Sequence, residues 1–241
     1  GGTSCVRLLK RKGSQEVYVA KIFNTLHEEQ SELLCAELRA LMVIDCPCVV
    51  GFHGAWAHEN KVYVVLEAMW LGSLLDVMQS GEQPLFHYHP EAAGYGENND
   101  NDRNNDEDNE RVMLAISFQV FWGLDYIHSI GLVHGDIKSS NVLVSTCGSV
   151  KIADFGTSTF EPTAGGCMAS TFRYMPPERM NGGRFGPEGD VWAAGMMVAE
   201  LIAKRVPFAS CDTHVEILQQ VVASDDDAVM EHVLPKSVGA P

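Results

Sequence analysis

No apolar stretch in this sequence reaches the roughly 20 positions that a helix needs to cross a bilayer. No basic-then-apolar leader opens it either. Positive charge is scarce: 17 Lys and Arg stand against 32 Asp and Glu, a formal net charge of −15. Binding to nucleic-acid phosphates rests on clustered Lys and Arg, so that class of partner is excluded. The cysteines have no obvious mates. There are seven, and only Cys46 and Cys48, split by Pro47, lie close together. No second pair or histidine cluster completes a zinc site. Unpaired thiols in a reducing compartment follow, with a cytoplasmic location expected and a nuclear one as the alternative.

What is present suffices for a core. Hydrophobic residues make up 46% of 241 positions, enough for one large domain or two small lobes sharing an interface. Residues 5–11 and 16–23 alternate apolar and polar around Gly13-Ser14, the pattern of an antiparallel hairpin. Thr25-Leu26-His27-Glu28 reads as a capping box that starts a helix running to about Val43. Val49–Trp56 and Lys61–Glu67 read as strands, and a short helix is expected around Gly72–Gln79. From Arg111 to about Ile130 the pattern is a long amphipathic helix, and loops with short strands are expected over 131–160. Val191–Ala203 is apolar on every side apart from Glu200, which predicts a helix buried all round. Strands with one helix followed by mostly helices give an α+β, two-lobed arrangement.

Between those parts the composition changes. Residues 89–110 are rich in Asn, Asp, Glu and Gly, and over 97–110 seven acids face Arg103 alone, a net −6. Such a segment buries too little surface to offset its ordering entropy, so 89–110 is expected to be a disordered acidic insert.

The chemistry-bearing residues come in sequence order. His134-Gly135-Asp136-Ile137-Lys138-Ser139-Ser140-Asn141 is followed, thirteen residues after Asn141, by Asp154-Phe155-Gly156, and then by Tyr174-Met175-Pro176-Pro177-Glu178. This set resembles the eukaryotic protein kinase signatures of catalytic loop, magnesium-binding turn and activation-segment end. The resemblance implies a two-lobed kinase fold, with a small β-rich N-lobe carrying one helix and a larger, mainly helical C-lobe. It divides the chain into an N-lobe at 1–67, hinge and first C-lobe helix at 68–88, the insert at 89–110, and C-lobe at 111–241. It also implies that both ends are truncated, the first inside the glycine-rich loop and the second before the last helices.

Phosphoryl transfer needs positioning and charge neutralisation more than covalent work. Asp154 and Asn141 offer the oxygen ligands that Mg²⁺ prefers. Asp136 is placed to orient an incoming hydroxyl and accept its proton, and Lys138 to reach the transferred phosphate. Asp-x-Lys-x-x-Asn resembles the Ser/Thr form of the loop rather than the tyrosine-kinase form. Upstream, Leu33, Leu34, Leu38 and Leu41 share one face of a helical wheel with Glu37 in its middle, while Glu28, Glu32 and Arg39 fall opposite. An inward carboxylate needs a cation, and Lys21 in the strand Tyr18–Ile22 is the natural candidate; in the kinase family the Lys of this strand pairs with the helix Glu and holds the α- and β-phosphates of ATP.

Gly1-Gly2-Thr3-Ser4 looks like the end of the phosphate loop, with Val6 fifteen residues before Lys21. The adenine is then expected between Val6 and Val19 above and Leu143 below. Leu66 would be the gatekeeper, and the backbone of Glu67 to Met69 would meet the adenine edge. Cys46–Trp56, Gly72-Ser73-Leu74 and Tyr174–Arg179 resemble the MAP kinase kinase group, implying a MAP kinase as protein substrate, phosphorylated on Thr and Tyr, and an upstream activating kinase.

Two departures concern regulation. Gly135 replaces the usual Arg that grips a phosphorylated activation segment. Thr163 is the expected phosphoacceptor, and Cys167 stands where the group commonly has a second one. Asp190 is expected to anchor the catalytic loop from the buried helix. The competing readings are a pseudokinase or scaffold that binds partners without phosphotransfer, and a small-molecule kinase on a related fold.

Overall fold

The structure, a computed structural model, describes residues 5–80, 104–160, 171–184, 186–223 and 233. Its first part is an antiparallel sheet of β1 (Cys5–Lys10), β2 (Val17–Asn24), β3 (Phe52–His58) and β4 (Lys61–Glu67), in the order β1-β2-β4-β3. The central strands β2 and β4 are dense in Val, Ile, Tyr and Phe, residues that fit a pleated surface. Strand register decides which side chains share a face, because successive residues alternate. Val6 pairs with Lys21 and Lys21 with Val64, while Val19 pairs with Leu66. Val6, Val19, Lys21 and Leu66 therefore lie on one face. Helix α1 (Glu28–Leu41) packs against this lobe and buries Leu34, Glu37, Ala40 and Leu41.

The second part is mainly helical: α2 (Leu74–Gln79), α3 (Asn104–Ser129), α4 (Pro177–Met180), α5 (Pro187–Ala203) and α6 (His214–Ala223), with the small ribbon β5 (Val142–Val144) and β6 (Val150–Ile152). Helix α2 starts at a reciprocal cap, in which Asp76 N–H donates to Ser73 Oγ and Ser73 N–H to Asp76 Oδ2. Its core lies between α3 and α5, where Val120, Leu124 and Ile127 are buried alongside Ala194, Met196 and Met197. The chain thus has the α+β, two-lobed order read from its sequence. No helix among the described residues is long and apolar enough to cross a membrane.

Three boundaries and one burial pattern differ from the sequence reading. The capping box at Thr25 does not form: Thr25 Oγ1 donates to Asn60 O at 2.9 Å, which draws the residue toward the β3–β4 turn, and α1 begins after His27. β3 starts at Phe52 because Val49 and Val50 are committed to the other lobe, with Val50 N–H donating to Ile152 O at 2.9 Å. The long helix begins at Asn104, not Arg111, so the expected insert ends earlier; Asn and acidic residues also suit the first turns of a helix. Residues 89–103 lie outside the described residues. Finally, α5 is not buried all round, since Val191 and Gly195, one turn apart, are exposed among the described residues.

Candidate active site

Lys21 is the junction of the two lobes. Its ammonium lies 2.7 Å from Glu37 Oε2 on α1 and 2.8 Å from Asp154 Oδ1 on the turn after β6. The wheel argument for Glu37 holds: its side chain is 1% exposed, whereas Glu32 on the opposite face is exposed. Burial pushes the Glu37 carboxyl above its ordinary range, with Asp154 adding to it and Lys21 opposing. Its second oxygen, Oε1, is buried without a hydrogen-bond partner. Burial works against the Lys21 charge, yet the two carboxylates outweigh it and hold its pKa above the ordinary value. Burial works against the Asp154 charge too, and Lys21 overcomes it, leaving that carboxyl below its ordinary range. One cation between two carboxylates leaves the cluster with a net negative charge beside a half-exposed oxygen ligand, an environment that favours a further cation.

The catalytic loop is fixed from beneath. Asp190 on α5 accepts the N–H groups of His134 and Gly135, both at 2.8 Å, and pairs with His128 Nε2 at 2.9 Å. Asp190 thus anchors the loop as expected. His134 is fully buried and its Nδ1 accepts from Asp136 N–H, so its Nε2 carries the proton toward Ala153 O. Its ring meets Phe155 edge-on at 4.8 Å, which seats the turn bearing Asp154. Asp154 itself has φ +67°, a left-handed conformation that Asp adopts more readily than most residues. Gly135, with φ +87°, is a position where the absence of Cβ matters. No arginine reaches out from there; instead Arg179 Nη1 donates back to Gly135 O at 3.3 Å.

Asp136, Lys138 and Asn141 come together as their spacing predicts. Lys138 Nζ lies 2.6 Å from Asp136 Oδ2. Asn141 Nδ2 donates to Asp136 O and Oδ2 at 2.8 and 3.1 Å, which leaves Asn141 Oδ1 as the free end of the amide. Ala153 N–H donates to Asn141 O at 2.8 Å, setting Asn141 next to the Asp154 turn. These two oxygen donors fit a hard divalent cation.

For the nucleotide, Val6, Val19 and Leu66 share the sheet face of Lys21, with Val6 exposed and Leu66 buried. Glu67 ends β4, Met69 is buried just beyond it, and Leu143 on β5 is bridged to Ser73 below that connection. Gly1, Gly2, Thr163 and Cys167 lie outside the described residues.

Sequence reasoning missed three partners. Thr171 N–H and Oγ1 both donate to Asp136 Oδ1, at 3.1 and 3.3 Å, and Thr171 Oγ1 accepts from Lys138 Nζ at 2.7 Å. Thr171 lies thirty-odd residues from the loop, and no local pattern marks it. Tyr174 OH donates to Glu200 Oε2 at 2.6 Å inside the core, tying the activation-segment end to α5; burial, then Glu200, raises the Tyr174 pKa. The signal was present here, as the one acid in the apolar stretch Val191–Ala203. Arg173 donates to the main-chain oxygens of Pro207, Phe208 and Cys211. Asp136, Thr171, Tyr174, Pro176, Arg179 and Asp190 line a small pocket beside the loop.

Comparison with known proteins agrees with this geometry. The chain is 29% identical over 214 residues to mitogen-activated protein kinase kinase 1 of Arabidopsis thaliana, aligning 86% of itself with 53% of that protein. It is 29% identical over 215 residues to dual specificity mitogen-activated protein kinase kinase 1 of Dictyostelium discoideum, covering 87% of itself and 29% of the relative. It is 31% identical over 216 residues to mitogen-activated protein kinase kinase 5 of Leishmania mexicana, covering 87% and 36% respectively. The chain therefore spans about half or less of the length of these relatives. The protein kinase domain family matches residues 1–235, nearly the whole of the 241. On this match and this site, the chain belongs to the protein kinase family.

Proposed function

We propose that the chain is the catalytic domain of a MAP kinase kinase, transferring the γ-phosphate of ATP to Ser or Thr of a protein substrate, with Tyr as a second acceptor. The observation that carries the reading is Lys21 held at 2.7 and 2.8 Å between Glu37 and Asp154. That arrangement joins the two lobes across the cleft in which the phosphates would lie. The MAP kinase as substrate, and activation by an upstream kinase, rest on the names of the relatives. The six described cysteines are all unpaired thiols, three of them exposed, which supports action in the cytoplasm or nucleus.

The chain's residues divide the work. Lys21 would neutralise the α- and β-phosphates, while Glu37 keeps the ammonium from swinging away. Asn141 Oδ1 and the Asp154 carboxylate would hold Mg²⁺, which supplies charge neutralisation on the phosphate oxygens when bound. Asp136 orients the substrate hydroxyl and takes its proton as the hydroxyl oxygen bonds to the γ-phosphorus. The bond to the β-phosphate oxygen breaks and ADP leaves. Lys138, already 2.6 Å from Asp136, supplies a mobile cation for the transferring group.

The test is Asp136→Asn. Turnover falls by about 10²-fold or more while ATP and ADP bind as before. Equal turnover in wild type and variant refutes the assigned base. A wild-type protein that binds nucleotide yet phosphorylates none of a panel of MAP kinases, even after upstream activation, establishes the scaffold reading instead.

A further inference from the structure

Glu67 enters the nucleotide reading only through its backbone, and its side chain is engaged elsewhere. The carboxylate Oε2 accepts from Lys151 Nζ at 2.7 Å and from Gly51 N–H at 3.1 Å. Glu67 N–H returns a bond to Gly51 O at 2.8 Å. Three separate pieces of chain meet here: the entry to β3, the last residue of β4, and β6 of the other lobe. The ammonium lies in a sheltered place. The Lys151 and Glu67 side chains are 16% and 34% exposed, against 68% and 55% for the surface pair Arg11–Glu16. Water and salt screen the first pair less than the second.

Register gives the pair its consequence. Lys151 stands opposite Leu143 in the β5–β6 ribbon, so both side chains leave the same face of that ribbon. Leu143 is the residue expected beneath the adenine, and the main chain of Glu67 is expected at its edge. A bond from Lys151 to Glu67 therefore fixes the floor of the slot relative to its edge, and neither residue belongs to the Lys21–Glu37–Asp154 cluster. Lys151 is also three residues before Asp154, so the same strand carries the clamp and the metal-binding turn.

We propose that Lys151 is a positioning residue for adenine nucleotide. It ties the connection between the lobes to the cleft floor and so sets nucleotide affinity without touching the reacting atoms. The inference rests on the kinase reading of the site.

The test uses Lys151→Met, which keeps the aliphatic stem, and the charge-swapped pair Glu67→Lys/Lys151→Glu beside Lys151→Glu alone. Loss of one sheltered, charge-assisted hydrogen bond raises the ATP KM and the ADP Kd about five- to tenfold. In Lys151→Met, kcat and the KM for protein substrate stay at wild-type values, a split that general loosening of the fold would not produce. Amide hydrogen exchange without nucleotide becomes faster at 50–52 and 66–72, with α3 and α5 unchanged. The swapped pair binds nucleotide more tightly than Lys151→Glu alone. Nucleotide affinity and exchange in Lys151→Met within twofold of wild type overturn the proposal, as does a swapped pair no better than the single variant. If wild type binds nucleotide but transfers no phosphate, the proposed function falls, and affinity with exchange still decides the tether.

Discussion

Replacing Lys21 by Met removes a cation and leaves its partner almost nowhere to go. The Glu37 side chain is 1% exposed, its Oε1 already has no hydrogen-bond partner, and its Oε2 loses the Lys21 contact. Asp154 is half exposed and rehydrates at little cost. A bare carboxylate at the Glu37 site is costlier than a protonated one, so the carboxyl takes up a proton. Its ordinary pKa of 4.5 lies about 2.5 pH units below neutrality, and each unit is worth about 1.4 kcal/mol. Protonation therefore caps the penalty at about 3.4 kcal/mol at pH 7, within reach of the roughly 3–5 kcal/mol typical of a broken buried pair. The folded variant holds a proton that the unfolded chain has released above pH 4.5, so stability falls as pH rises. At pH 5.5 the ceiling drops to about 1.4 kcal/mol. Urea unfolding at pH 5.5 and 7 measures both deficits. Lys21→Met/Glu37→Leu should recover most of the loss at pH 7 while staying without phosphotransfer. A deficit independent of pH, or a double variant no more stable than the single one, refutes the reasoning.

Burial raises the Glu200 carboxyl, against hydrogen bonds from Tyr174 and Ser139, so its contribution to stability declines as pH rises above 4.5 through its folded pKa. The Tm difference between Glu200→Gln and wild type should therefore shift in favour of the variant from pH 5 to pH 8, read by thermal unfolding; a constant difference contradicts it. Gly135→Ala forces a Cβ into φ +87° and should cost about 1–2 kcal/mol in a denaturant titration; a variant as stable as wild type contradicts the loop geometry. Thr171→Val removes the hydroxyl that bridges Lys138 and Asp136 and should lower kcat about tenfold with the ATP KM unchanged, whereas Thr171→Ser retains activity. Steady-state kinetics on both variants checks this, and a Val variant with wild-type kcat contradicts it.

The site was legible where chemistry is local. Asp136, Lys138 and Asn141 fall within six positions, and a chain that turns tightly there has few ways to separate them. Glu37 was legible through periodicity, because a carboxylate on an apolar helical face has to meet a cation. Thr171, Arg173 and Lys151 were not legible. Their partners lie dozens of positions away, and a threonine or lysine in isolation has the same pattern as one on an open surface. The strand boundary at Phe52 failed for a related reason. Val49 and Val50 satisfy any strand template, and only the nearby Ile152 shows that their hydrogen bonds go to the other lobe.

Sequence alone determined which residue types the reaction has, which helix turns an acid inward, and the order of a β-rich part before a helical one. Each follows from spacing along one element, where backbone geometry sets direction. The tertiary structure alone decided how other parts are held: Thr171 on Asp136, Glu200 on Tyr174, Glu67 on Lys151. Those bonds join separate elements, and the distance between elements is set by packing that no single stretch of chain encodes.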